Sequence, residues 1–151
     1  MGNKGAGRWR LEWRGPLLQK ELEHAASKAL TEIGLRIEAE AKQELYPGHG
    51  KVTGTLQRSI HVAPLGYPWA SDRTQASQNT PELGGQDVEP VKDGTVLWVE
   101  VGSGLEYAMA VHQGHRTFAG YHYITKAVEA VKPRVAGILQ SAARAYARGR
   151  L

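Results

Sequence analysis

At 151 residues and 16.5 kDa the chain has room for one domain, and 41% hydrophobic against 23% charged residues excludes wholesale disorder. The absence of Cys excludes a disulfide scaffold, a zinc ribbon and a thiol nucleophile together; no apolar run reaches the roughly 18 residues of a membrane span or forms a secretion h-region, so the chain is expected on the soluble side. The net charge of +4 is unevenly placed, with five bases and one acid over residues 1–20, nine against fourteen over 21–131, and five against none over 132–151, which makes the basic ends either solvated tails or contacts to phosphate or an acidic partner.

Residues 1–16 form a basic arm in which Arg8 to Arg14 alternates strictly. Trp9, Leu11 and Trp13 share one face, which predicts a strand whose apolar side is a sheet face or a subunit contact. Gly15-Pro16 breaks it. From 17 to 46, Leu22, Ala26, Ala29, Leu30, Ile33, Ile37 and Ala41 recur at three and four, with Glu21, Lys28, Glu32, Glu38 and Lys42 opposite. That spacing predicts a long amphipathic helix, closed by Pro47-Gly48-His49-Gly50. A strand is expected over 53–65 with Ile60 and Val62 on one face, and Thr95 to Val101 is the clearest interior strand. The two should pair antiparallel.

Between them, residues 66–93 are rich in Gly, Pro, Ser, Thr, Asn and Gln without periodicity, which predicts a protruding loop, mobile in the free subunit, with Trp69 as an anchor for a partner. Its five acids against two bases suit a basic surface. A short helix is expected over 106–113, stopped at Gly114. In the last element Ile124, Val128, Val131, Val135, Ile138, Ala142 and Tyr146 keep one helical phase through Pro133, which predicts one bent helix. The class is α+β: a small antiparallel sheet packed against a long N-terminal helix and a bent C-terminal one. The divisions are a 1–16 arm, a 17–131 domain and a 132–151 basic helix and tail.

No catalytic, cofactor-binding or metal-ligating set emerges. His112, His115 and His122 lie within eleven residues, but their spacing fits no standard zinc signature and a structural role is favoured. Ser59 and Ser103 stand outside any nucleophile elbow, and Gly102-Ser103-Gly104 continues into no phosphate-binding loop. The protein is therefore expected not to be an enzyme. Tryptophans among basic residues leave a small basic nucleic-acid-binding protein as the alternative.

Four local patterns occur in order. They are Ala39-Glu40-Ala41-Lys42 ending a helix, Thr53-Gly54-Thr55-Leu56-Gln57-Arg58-Ser59-Ile60, Val99-Glu100-Val101-Gly102-Ser103 leading to Tyr107-Ala108-Met109-Ala110-Val111-His112-Gln113-Gly114, and His122-Tyr123-Ile124-Thr125-Lys126-Ala127. Together, over roughly residues 30–131, they resemble the neck and tail-completion proteins of long-tailed bacteriophages. The resemblance implies a structural virion protein at the neck, joining the head connector to the tail terminator or tail tube. It would form a ring, typically six-fold, around the DNA channel, assembled in the host cytoplasm and without cofactors. Thr53, Gly54, Leu56, Ser59, Tyr107, Ala108, Gly114 and Tyr123 would be its structural motif residues. The family more often carries an acid, a Thr and a Pro where His112, His115 and His122 stand. Trp9, Leu11, Trp13 and Trp69, with the basic Arg144, Arg148 and Arg150, are the candidate contacts to other subunits, to acidic partners or to DNA in the channel.

Overall fold

A computed structural model describes residues 8–13, 20–51, 53–75 and 82–149. In chain order these form strand β1 (Arg8–Trp13), helix α1 (Lys20–Gln43), the short strands β2 (Tyr46–Pro47) and β3 (Gly50–Lys51), helix α2 (Thr55–Ser59) and strand β4 (His61–Pro64). A 3-10 helix (Trp69–Gln75), strands β5 (Val91–Asp93) and β6 (Val96–Gly102), and helices α3 (Ala108–Gln113), α4 (Tyr123–Val131) and α5 (Val135–Ala147) follow. The fold is α+β.

Strand β6 is the sheet's centre. Antiparallel β1 runs along one side of it, and antiparallel β4 and β5 share the other. Opposed residues of paired strands share a face. Trp9, Leu11 and Trp13 lie opposite Val101, Val99 and Leu97, so Trp9 and Leu11 turn to the same side as the buried core of β6. Leu11 packs against that core, and Trp9 keeps 37% of its surface exposed. Leu11, at the middle of the stripe expected to meet a sheet face or another subunit, is thus used inside the fold.

Helix α1 covers this face through Ala26, Ala29, Leu30, Ile33, Ile37 and Ala41. Gly34 permits the close approach, since a β-carbon there would lie 3.2 Å from Val62 Cγ1 and 3.5 Å from Val99 Cγ2. Two expectations for α1 fail. Leu22, assigned to the apolar stripe, is 44% exposed, and Glu38, assigned to the polar side, is buried because segment 82–88 closes over it.

The segment 53–60 is not strand. Gly54, at φ 77°, turns the chain, and Thr55–Ser59 winds into α2 before β4 begins at His61. The alternating pattern there is compatible with both elements, and the left-handed glycine followed by burial of Leu56 and Ser59 decides for helix. The expected antiparallel pairing survives, with Val62 opposite Val101.

Helices α4 and α5 are joined by a 3-10 turn, Lys132–Arg134, flanked by residues that keep right-handed helical angles. Pro133 removes one amide donor and tightens one turn without breaking the phase. Ile124, Val131 and Ile138 are accordingly buried in one core, with Val128, Val135 and Ala142 packed beside them. Gly137 lies in α5, and no neighbouring part of the fold comes within 4 Å of where a β-carbon would stand. Gly137→Ala is expected to stabilise the subunit by about 0.5–1 kcal/mol, read as a higher urea midpoint.

Candidate functional site

The second face of the sheet, away from α1, carries a buried polar cluster held by the 66–75 segment. Glu100, opposite Arg10 in β1 and Ala63 in β4, is 1% exposed. Its carboxylate accepts from Arg10 Nε at 2.8 Å and from Trp69 Nε1 at 2.7 Å. Beside it, His61 Nε2 stands 2.9 Å from Asp72 Oδ2, and the Tyr67 hydroxyl donates to Asp72 Oδ1 at 2.8 Å. Burial, and then the bond to Asp72, pushes the Tyr67 pKa up. The His61, Tyr67 and Trp69 rings pack mutually with centroids 4.8–5.1 Å apart. Gly104 makes room, because a β-carbon there would meet the Trp69 carbonyl oxygen at 2.0 Å.

This corrects the reading of residues 66–93 as a protruding arm. Where described, the segment lies against the fold, and Trp69, at 4% exposure, is an internal anchor rather than a surface for a partner. Its continuation is held along α1: Glu38 accepts from Lys42 Nζ, Val62 N–H and Gly85 N–H, Thr31 donates to the Val88 carbonyl at 2.6 Å, and Lys92 pairs with Glu23. Sequence reading misses Glu38, His61, Asp72 and Glu100. Each is an ordinary surface residue type whose burial depends on a partner elsewhere in the chain.

The motif residues fall at junctions of the fold. Thr53 Oγ1 accepts the Thr55 N–H at 3.3 Å. The buried Ser59 and Ser103 hydroxyls bond each other at 2.7 Å, with Ser59 donating to the Leu56 carbonyl and Ser103 accepting the Leu105 N–H. Both are therefore occupied in tying α2 to the end of β6. Ala108 and Tyr123 are fully buried, and the Tyr123 hydroxyl donates to the Ala108 carbonyl at 3.2 Å. Burial raises the Tyr123 pKa. Tyr107 stays exposed.

Of the three histidines, His115 and His122 are exposed and His112 belongs to the core. His112 Nδ1 accepts the Ile124 N–H at 3.4 Å and Nε2 lies 3.3 Å from Thr125 Oγ1. Trp9, His122 and Tyr123 pack edge-on around its ring. Among the described residues no three His, Asp or Glu are grouped to hold a metal.

Burial, and then the neighbouring His122, lowers the His112 pKa from 6.5 to about 4. Below pH 6.5 the unfolded chain therefore takes up a proton that the folded chain refuses. The stability contributed by neutral His112 is complete above pH 6.5 and is lost as pH falls toward 4. Between pH 7.5 and pH 5 the wild type is expected to lose about 1–2 kcal/mol more than His112→Gln, measured by urea unfolding at both pH values.

The charged surface is organised by α1. One flank is the 82–93 segment, reached from Glu23, Thr31, Glu38 and Lys42. The other is the α4–α5 hairpin, reached from Glu44 to Lys126 and from Glu40 to Arg134. At 100° per residue Thr31, Glu38 and Lys42 lie on the opposite side of α1 from Glu40, and Glu44 follows the helix's last residue. Arg144 and Arg148 are exposed at the end of the second flank. Arg150 and the side chain of Trp13 lie outside the described residues.

Neither a protein-family model, nor a curated protein, nor a solved structure matches this chain. Among the described residues no helix is long and apolar enough to cross a membrane.

Proposed function

We propose that this chain is a non-enzymatic structural protein of a phage virion, joining the head connector to the tail as a ring around the DNA channel. The observation that carries the reading is the placement of the four resembling patterns. Ala39–Lys42 lies at the end of α1, Gly54 turns into α2, Val99–Ser103 ends the central strand and leads to Tyr107–Gly114, which spans α3, and His122 at φ 51° starts α4. They are the segments that fix α1, the sheet and α4 to one another. Segments outside the resemblance, namely β1, 66–93 and the residues after Pro133, pack onto this scaffold through Leu11, Trp69 and Ile138.

The His61–Asp72 pair supports the same reading. Its His ring and both Asp oxygens are engaged with Val62, Tyr67 and each other, so the cluster locks a segment in place. Native mass spectrometry and negative-stain microscopy of the purified chain test the ring: a closed annulus of identical subunits is expected, and a monomer at every concentration would count against it.

A further inference from the structure

We propose that copies of this chain associate head to tail, the 82–93 flank of one subunit seating on the α4–α5 flank of the next. The inference deepens the ring reading by naming the surfaces, and it rests on that reading only for closure of the ring.

The first observation is charge. Segment 82–93 carries Glu82, Asp87, Glu89 and Asp93 against Lys92, while residues 123–149 carry Lys126, Lys132, Arg134, Arg144 and Arg148 against Glu129. Lys92 is paired to Glu23 and Glu82 to Lys42. Asp87, Glu89 and Asp93 are exposed and have no ion pair among the described residues, and neither have Arg144 and Arg148. Each subunit thus presents unpaired acids on one flank of α1 and unpaired bases on the other.

The second observation is shape. Helix α5 buries only Ile138 fully, and its outward face is Ala136, Gly137, Gln140, Ser141, Ala143 and Ala147 around the two arginines. With so little side-chain bulk, a neighbour's backbone can approach closely while Arg144 and Arg148 reach its carboxylates. Two different complementary surfaces make a heterologous contact, the kind that closes into a ring or extends into a filament. A second copy is favoured over DNA as the occupant because the complementary acids are supplied by the chain itself.

The test uses two charge-reversed full-length chains. One carries Asp87→Lys, Glu89→Lys and Asp93→Lys; the other carries Arg144→Glu and Arg148→Glu. All five positions are exposed, and circular dichroism checks that both variants fold. Sedimentation velocity at low salt is expected to show that each alone associates at least about tenfold more weakly than wild type, and that an equimolar mixture regains wild-type association. Wild-type association unaffected by either reversal, or a mixture no stronger than its components, would overturn the flank assignment while leaving the ring itself standing. Wild-type chain that stays monomeric would overturn both. Duplex DNA bound by wild type and lost in R144E/R148E, with subunit mass unchanged, would overturn the flank assignment and give the basic flank to nucleic acid instead.

Discussion

Glu100→Ala is expected to destabilise the subunit by about 3 kcal/mol and to release the 66–75 segment. Glu100 is buried between two donors, Arg10 Nε and Trp69 Nε1. Arg10 retains 32% side-chain exposure and can turn its guanidinium to water, whereas the Trp69 indole N–H stays enclosed without an acceptor. The loss is therefore concentrated at Trp69. Because Asp72, Tyr67 and His61 are packed with Trp69, the whole latch loosens together. Urea unfolding reads the stability. Trp69 emission shifting red before global unfolding, and faster proteolysis within 66–75, read the local release. Glu100→Gln keeps one acceptor oxygen and is expected to lose about half as much.

Gly114→Ala is expected to cost about 3 kcal/mol or more. Gly114 closes α3 at φ 93°, ψ 168°, a region that L side chains avoid, and a β-carbon would sit 2.2 Å from the Phe118 carbonyl oxygen and 2.7 Å from Ala119 C. Both obstacles are backbone. The substitution must therefore displace the 115–118 turn, whose His115 and Phe118 exchange hydrogen bonds of 2.9 and 3.0 Å. That shift reaches the buried His112, since its carbonyl accepts the His122 N–H at 2.9 Å. The variant's urea midpoint should fall and the His115–Phe118 amides should lose exchange protection. Gly137→Ala, in open space, should move the midpoint the other way.

The parts of the fold that can be read from sequence are those whose burial follows local periodicity. The α1 stripe from Ala26 to Ala41, the Leu97–Val99–Val101 face and the stripe through Pro133 each repeat at the period of their own element, so a one-dimensional pattern identifies them. Helix α2 escapes such a reading because five residues hold too little periodic signal to separate helix from strand, and Gly54 serves either turn. The latch and the Glu38 hub are illegible for a different reason. Asp72, Glu100 and Glu38 are charged types that lie buried only because the Tyr67–Trp69 corner, Arg10 and the 83–88 backbone fold over them, and most of those pairings span tens of residues. For Trp69 the sequence shows a large anchor but not whether it faces inward or outward. The candidate contacts at Arg144 and Arg148 are legible as bases. Their opposition to the 82–93 acids becomes visible only once both segments are laid along α1.

The central claim is that this chain joins heads to tails. The most direct measurement is an in vitro joining assay with lysates from a phage whose copy of this gene carries an early stop codon. Such lysates are expected to hold DNA-filled heads and separate tails. Adding the purified chain should produce joined particles by electron microscopy and raise the infectious titre, and the charge-reversed variants should do so only as a mixture. Normally tailed, infectious particles made without the chain would contradict the account.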